Sequence, residues 1–236
     1  MSKASPNITE ITKNTPNFGA YLEEMSTLIS LAFLKPLDPM TLPAVGVTYE
    51  DNPGLHHEYS KVQLQAAFTG AGRVFGAFIN ADGVERLAGV AVWYEPGKQF
   101  LDDDEQRIYW VQFLNKLDPE TRQWWKEVMK PCYHQLTVEG LGEGVKKDIL
   151  HLQILGVHPD FHRRGVGKAL VSHMLAESDP QGVASCVETA KETNLLFYVG
   201  LGFQVKSKQE FPSSRGDFAL WCLKREPNAG KETPFN

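Results

Sequence analysis

A loop with two arginines and two glycines carries the clearest chemical signal in the sequence. Two consecutive arginines precede a Gly-Val-Gly segment, and an apolar helical pattern begins at the glycines. The first turn of a helix leaves backbone N–H groups unpaired, and its dipole favours an anion. Glycine lets the main chain approach a phosphate closely, and arginine adds positive charge. The sequence therefore predicts a pyrophosphate site formed by Arg163, Arg164, Gly165, Val166, Gly167 and Lys168.

The spacing of this loop excludes the two common nucleotide-binding loops. A P-loop requires Gly-x-x-x-x-Gly-Lys-Ser/Thr, whereas Gly165–Ala169 reads Gly-x-Gly-Lys-Ala. A Rossmann fingerprint requires a third glycine, which is absent here. The alternative interpretation is a glycine-containing helix start whose arginines are solvated, and the short motif alone does not decide between the two.

A second motif lies about 30 residues further along the chain, where Asn194, Tyr198 and the pair Gly202-Phe203 share one segment. Together with the loop, this segment resembles the signatures of the GNAT N-acetyltransferase superfamily. His162 is a departure, because the family usually has Gln or Arg at that position. The departure affects one polar contact and leaves the backbone cradle intact.

The resemblance extends to the puromycin N-acetyltransferase branch of the superfamily. The segments that carry it are Ala91–Trp93 with Pro96, Cys186–Thr189, Asn194–Tyr198 and Trp221–Arg225. The similarity covers about residues 148–226 and is weak in the first half. Residues 35–60 and 97–147 therefore limit what can be predicted about the acceptor.

The resemblance implies a ternary complex in which an acceptor amine attacks acetyl-CoA, the co-substrate, directly. It implies that a bulge in the fourth strand, at Leu155, Gly156 and Val157, offers backbone groups to the pantetheine arm. It assigns Asn194 to the pantetheine amides and Tyr198 to protonation of the leaving thiolate. The alternatives are that Asn194 caps a helix and that Tyr198 packs on an apolar helix face.

Two residues are candidates for the general base. Strict strand alternation would place His151 on the same face as Leu155, four residues before the predicted bulge. Histidine titrates near neutral pH and can accept a proton directly or through water. Glu188 is the rival candidate. The alternative for His151 is a strand histidine that hydrogen-bonds a neighbour, and the alternatives for Glu188 are a structural role and a place in the lining of the acceptor site. His134, Glu127 and Asp148 are weaker candidates.

The order of the elements predicts a mixed, mostly antiparallel α/β sheet flanked by helices, as in the GNAT fold. Asp82-Gly83 between two apolar runs predicts a hairpin, and residues 102–136 predict a helical insertion. The segment from Lys35 to Leu55 has no clear period and is expected to be a loop. One domain is expected over residues 1–226, with a disordered tail at 227–236.

Composition narrows the class of protein. The 236 residues carry a formal net charge of −5, which disfavours nucleic acid as a partner. Three cysteines without a CxxC pair disfavour a metal site and fit a reducing, cytoplasmic location. No stretch is apolar enough to predict a membrane span.

The leading functional hypothesis is acetyl transfer to the primary amine of a small xenobiotic or secondary metabolite. The alternatives are a protein or peptide N-acetyltransferase and a non-catalytic acyl-CoA-binding module. A homodimer is left open.

Overall fold

The computed structural model describes residues 5–81 and 83–228. Residues 229–236, most of the expected tail, and Asp82 of the expected hairpin turn lie outside the described residues. The organisation into one domain over 1–226 stays a prediction.

The first half of the chain forms three strands and three helices. The strands are β1 (Asn7–Ile11), β2 (Gly72–Ala81) and β3 (Val84–Tyr94). The helices are α1 (Phe18–Leu34), α2 (Thr41–Val45) and α3 (Pro53–Ala66), and α3 is followed by a π-helical turn at Ala67–Ala71. The prediction of a loop from Lys35 to Leu55 was wrong in part. Asn52 accepts the Leu55 N–H and Pro53 stands at the first turn, and together they start α3 inside the segment predicted to be a loop.

The helical insertion is confirmed and extends beyond residue 136. It contains α4 (Asp104–Leu114), α5 (Pro119–Trp124), a π-helical turn at Trp125–Met129, α6 (Lys130–Leu141) and the short α7 (Val145–Asp148). Asp103 and Asp118 cap α4 and α5 by accepting main-chain N–H groups three residues ahead. Helix α6 packs against the last two strands of the sheet, where Ser207 donates its hydroxyl to the Leu136 carbonyl.

The second half of the chain alternates strands and helices. Its elements are β4 (Leu150–Val157), α8 (Val166–Ser178), β5 (Ser185–Thr189), α9 (Glu192–Val199), β6 (Gln204–Phe211) and β7 (Phe218–Arg225). Short 3₁₀ turns lie at Pro159–Phe161 and Asp179–Gln181.

Within the part of the chain that the structure describes, seven strands form one sheet in the order β1-β2-β3-β4-β5-β7-β6. Strands β4 and β5 pair in parallel, and every other neighbouring pair is antiparallel. This arrangement confirms the predicted mixed, mostly antiparallel sheet. Helix α8 packs on one face over a core that includes Phe75, Leu152 and Leu170, while α1 and α3 cover the other face.

The register of β4 contains a bulge that the sequence analysis placed too far along the strand. Val92 faces Ile154 and Trp93 faces Leu152, so Gln153 is the extra residue. The bulge reverses the alternation of side chains, which corrects the prediction that His151 and Leu155 share a face. Leu155 and Val157 lie toward α8 near Gly167, whereas a side chain at Gly156 would meet α1 at Ala32.

Strands β4 and β5 part soon after they meet. Their register covers Leu150 to Leu152 on β4 and Ser185 to Val187 on β5. Beyond Leu152, β4 continues to Val157 without a pairing partner on its β5 side. The result is a gap in the sheet directly in front of the loop that precedes α8.

Candidate active site

The arginine-glycine loop begins α8 without a side-chain cap. Gly165 is the N-cap residue in the left-handed conformation at φ 83°, and no side chain bonds the first-turn N–H groups. These groups are therefore available to an anion. Among the residues before the helix, Arg164 lies over the Phe161 ring at 5.4 Å, and Arg163 also has a positive φ of 57°.

His162 binds the end of β4 rather than standing free. Its Nε2 donates to the Val157 carbonyl at 3.0 Å, so the ring links the loop to the strand. Because the family position usually holds Gln or Arg, this contact gives the departure a structural role.

Three predicted backbone positions line the edge of the gap. Leu155, Gly156 and Val157 lie on the unpaired part of β4, although the bulge itself is at Gln153. A strand edge with unpaired main-chain groups can pair with an extended amide chain. The uncapped helix start and this open edge together fit a long donor molecule that carries a pyrophosphate at one end and amides along its length.

Tyr198 and Asn194 stand on α9, on the β5 side of the gap. The Tyr198 side chain is buried and lines the cavity described below, and its phenolic oxygen has no hydrogen-bond partner among the described residues. Burial, with added repulsion from Glu188 and Asp38, raises the Tyr198 pKa above its ordinary value. Tyr198 therefore keeps its proton at neutral pH, as a proton donor must.

Asn194 does not cap the helix, because α9 begins at Glu192 with Lys191 as its N-cap residue. Its side-chain amide donates to the Thr189 hydroxyl at 3.1 Å. This bond fixes the orientation of the side chain, and Asn194 also lines the cavity.

The two rival bases are hydrogen-bonded to each other. His151 Nε2 lies 2.9 Å from Glu188 Oε2, with both side chains buried. Sequence reasoning missed the two residues that complete this cluster. Tyr133 donates its hydroxyl to Glu188 Oε2 at 2.7 Å, and Lys146 Nζ lies 3.1 Å from both carboxylate oxygens and also bonds the Tyr133 hydroxyl. Both come from the insertion, for which the family motifs provide no signal.

The charges and hydrogen bonds of the cluster determine the protonation states of Glu188 and His151. Burial alone would raise the Glu188 pKa, but the charges of Lys146 and His151 and the hydrogen bonds from His151 and Tyr133 hold it far below its ordinary value. Burial and the Lys146 charge lower the His151 pKa, and Glu188 offsets part of that effect. At neutral pH the carboxylate is therefore ionised and the imidazole is neutral.

A metal ion is not needed to satisfy these groups. Donor atoms of His151, Cys186 and Glu188 lie within 4.8 Å of one another. The Lys146 ammonium already contacts both Glu188 oxygens, and burial raises the pKa of the Cys186 thiol well above its ordinary value. A protonated thiol beside an ammonium is a poor cation site, because metals bind the thiolate.

A large cavity connects the gap with the helical insertion. It has a volume of about 1000 Å³ and reaches from Asn194 and Tyr198 past His151 and Glu188 to the helices of the first half. Its far wall is aromatic, with Phe33, Tyr59, Trp110 and Trp125 among the lining residues. Residues 35–60 and 97–147, whose role the sequence did not define, thus contribute much of the cavity lining.

The three weaker candidates for the base differ in where they lie. His134 lines the cavity, whereas Glu127 accepts from Gln123 on the surface and Asp148 is exposed. Trp124 packs in a core with its indole N–H bonded to the Pro212 carbonyl. Trp125 bonds the Ala44 carbonyl and also forms part of the cavity wall.

A family model matches the part of the chain that contains this candidate site. Residues 132–205 match the family model described as the acetyltransferase (GNAT) domain, and this segment contains the loop, the gap and Tyr198. Over these residues the chain is similar to the GNAT acetyltransferases, a class of enzymes that uses acetyl-CoA as acetyl donor.

Solved structures share the fold at low sequence identity. A histone acetyltransferase and related acetyltransferase from Corynebacterium glutamicum is 19% identical with a TM-score of 0.61, over 94% of this chain and 97% of that one. Arylalkylamine N-acetyltransferase 2 from Aedes aegypti is 20% identical with a TM-score of 0.58, over 94% and 100%. A polyamine N-acetyltransferase from Drosophila melanogaster is 14% identical with a TM-score of 0.58, over 93% and 100%.

Proposed function

We propose that this protein transfers the acetyl group of acetyl-CoA to the primary amine of a small molecule, such as a xenobiotic or a secondary metabolite. The observation that supports the proposal most directly is the cavity of about 1000 Å³, which joins the gap between β4 and β5 to an aromatic wall. Deep, mostly apolar cavities of this size suit small ligands. An acceptor held there would lie beside both Tyr198 and the His151–Glu188 pair.

The donor would be held at two places. The first-turn N–H groups of residues 165–168, with Arg163, Arg164 and Lys168 nearby, would receive the pyrophosphate. The open edge of β4 from Leu155 to Val157 and the Asn194 side chain would bind the pantetheine amides. Acetyl-CoA supplies an activated thioester, and the residues below serve the proton transfers around it.

His151 would remove a proton from the acceptor amine, directly or through water. Glu188 is ionised and can only accept a hydrogen bond, so it holds the proton on His151 Nε2 and leaves Nδ1 as the basic nitrogen. Tyr198 would hold the proton that the departing thiolate takes. Tyr133 and Lys146 keep Glu188 ionised and in place.

Two other functions would use the same fold. A peptide or protein acceptor requires a surface groove for an extended chain, and the aromatic wall around the cavity favours a compact acceptor instead. A non-catalytic acyl-CoA-binding module would retain the loop but has no use for the buried His151–Glu188 pair.

Across the described residues, no helix has the length and apolar character that crossing a membrane requires. The cytoplasmic location and the homodimer stay predictions.

An acceptor panel tests the proposal. Purified protein, acetyl-CoA and individual amines or peptides are mixed, and coenzyme A release is followed with a thiol reagent while mass spectrometry identifies the acetylated product. Release with small primary amines supports the proposal. Release with peptides alone would overturn the choice of acceptor, and a thermal shift with acetyl-CoA but no release with any acceptor would favour the binding module.

A further inference from the structure

Asp38 is a buried carboxylate with one oxygen left open. The residue is 8% exposed and lines the cavity, although it lies in a segment that the sequence analysis described as a loop without clear pattern. Its Oδ1 accepts the Met40 N–H at 3.0 Å. Within residues 5–81 and 83–228, no group donates to Oδ2 and no cation forms an ion pair with the carboxylate. An acidic group buried in this way needs a polar or cationic partner.

The neighbouring cation is engaged elsewhere. Lys191 is near enough to lower the Asp38 pKa in part, although burial raises it overall. Its ammonium donates to the Pro36 carbonyl at 2.6 Å instead of binding Asp38. The Lys191 charge thus offsets that of Asp38 only in part, and Asp38, which lines the cavity, has no ion-pair partner among the described residues.

Asp38 lines the same cavity as Tyr198 and Tyr59. Its charge raises the pKa of both phenols, so all three side chains lie near one another. Glu188 also acts on Tyr198, but its two oxygens are occupied by His151, Tyr133 and Lys146. Of the two carboxylates near Tyr198, Asp38 is the one able to receive a ligand's cation.

The wall beyond Asp38 suits an apolar body of ring size. Tyr59 and Trp110 have ring centroids 6.3 Å apart, and Trp110 and Trp125 are 5.0 Å apart in an edge-to-face arrangement. Phe33, at the end of α1, also lines this part of the cavity. Aromatic surfaces of this kind favour flat or extended hydrocarbon groups.

We propose that Asp38 binds the acceptor in its ammonium form near Tyr198, while the aromatic wall holds an apolar, ring-sized body attached to that nitrogen. His151 then removes a proton from the ammonium, which gives the neutral amine that attacks the thioester. This inference deepens the proposed function and rests on it. It assigns Asp38 as a binding and specificity-determining residue, and it predicts selection for amines over neutral analogues of the same shape.

The test compares 2-phenylethylamine as acceptor with 2-phenylethanol as its neutral counterpart. In Asp38→Asn the side chain keeps its size and an oxygen for the Met40 N–H. We expect the KM for 2-phenylethylamine to rise about 10-fold or more, because a charge-assisted contact is lost. The KM for acetyl-CoA and the inhibition constant of 2-phenylethanol should stay unchanged. Asp51→Asn is the matched control, since Asp51 is exposed and bonds Thr48.

Direct binding provides a readout that does not depend on turnover. Calorimetric titration of 2-phenylethylamine into the protein with coenzyme A should show weaker binding for Asp38→Asn, with circular dichroism confirming that the variant is folded. Asp38→Ser, which keeps an oxygen near the Met40 N–H, is the second variant if the first does not fold. An equal loss of amine and alcohol binding would overturn the proposal, because Asp38 would then only shape the cavity.

The outcomes separate the inference from the proposed function. If the wild type releases coenzyme A with small amines but Asp38→Asn keeps the same amine KM, the inference is wrong and the function stands. If no small amine is acetylated, the function is wrong, and the titration alone still decides whether Asp38 binds an ammonium. Failure of the wild type to bind 2-phenylethylamine would overturn the inference.

Discussion

His151 and Glu188 are joined by a hydrogen bond of 2.9 Å between Nε2 and Oε2, from neighbouring parallel strands. The sequence left these residues as rival bases, and the structure joins them in one unit. Because the carboxylate is ionised and has no proton to donate, the neutral imidazole must carry its proton on Nε2. The basic lone pair is then on Nδ1, and each residue has a separate role.

Removal of the imidazole should change the pH profile as well as the rate. We expect His151→Ala to lower kcat about 10²-fold, the usual size of a general-base contribution. Since burial and Lys146 lower the His151 pKa, the wild-type kcat/KM should fall on the acid side with an apparent pKa below about 6.5. That acid limb should be absent from the variant. A variant that keeps the limb would remove His151 from the mechanism.

Acid should also destabilise the wild type through the same residue. A histidine with a lowered pKa in the folded state is neutral there, while the unfolded chain binds a proton. Its contribution to stability is therefore complete above the unfolded pKa of about 6.5 and is lost as pH falls toward the folded pKa. Glu188, whose pKa is also lowered, adds a loss of the same sign at more acidic pH. Thermal unfolding at pH 5 and pH 7.5 should show a smaller difference for His151→Ala than for the wild type.

The Tyr198 hydroxyl should matter for turnover and not for donor binding. Tyr198→Phe keeps the ring that contacts Phe203 and Phe197 but removes the proton donor. We expect kcat to fall roughly 10- to 100-fold, somewhat less than a full general-acid effect because a thiolate is a good leaving group. The thermal shift produced by acetyl-CoA should be the same in both proteins. Unchanged turnover would show that solvent supplies the proton.

Removal of the Glu188 charge should lower the free energy of unfolding. Glu188→Gln leaves the Lys146 ammonium, whose side chain is 13% exposed, without its counter-ion. Breaking a buried ion pair from one side typically costs about 3–5 kcal/mol in the free energy of unfolding. The double variant Glu188→Gln/Lys146→Met should be more stable than the single variant, because no unpaired charge remains. Urea unfolding measures both, and an equal loss in the two proteins would contradict this account.

The two glycines of the loop should respond differently to alanine. Gly165 has φ 83°, where a side chain is strained, so Gly165→Ala should cost about 1–2 kcal/mol and weaken acetyl-CoA binding. At Gly167 an added Cβ would lie 3.5 Å from Val157 Cγ2, an ordinary contact, in a normal helical conformation. Gly167→Ala should therefore leave stability unchanged or slightly higher. Unfolding curves and acetyl-CoA titrations of the pair check this contrast.

Local signals predicted much of the fold. The Asp-Gly pair between two apolar runs predicted the β2–β3 pairing. The loop that begins α8 was also predicted, since its glycines and arginines are consecutive in sequence. Such features depend on residues close in the chain, which a pattern can express.

Features that depend on distant residues were not predicted. The bulge at Gln153 reverses the faces of β4, and nothing in Ile149–Val157 marks it, because it arises from the register with β3. Tyr133 and Lys146 join Glu188 only once the insertion folds over the sheet. Asp38 lies in a proline-containing segment whose pattern gave no indication that it would be buried.

The short pairing of β4 with β5 has a mechanical consequence. Three residues of ladder join the first four strands to the last three, so this seam is the weakest line across the sheet. The insertion spans that seam, since α4 contacts α3 while α6 packs on β6 and β7. Acceptor and donor would both bind along this seam. Each would contact both parts of the sheet and stabilise the contact between them. Amide hydrogen exchange at residues 153–157 and across α6 would then slow together when either ligand binds.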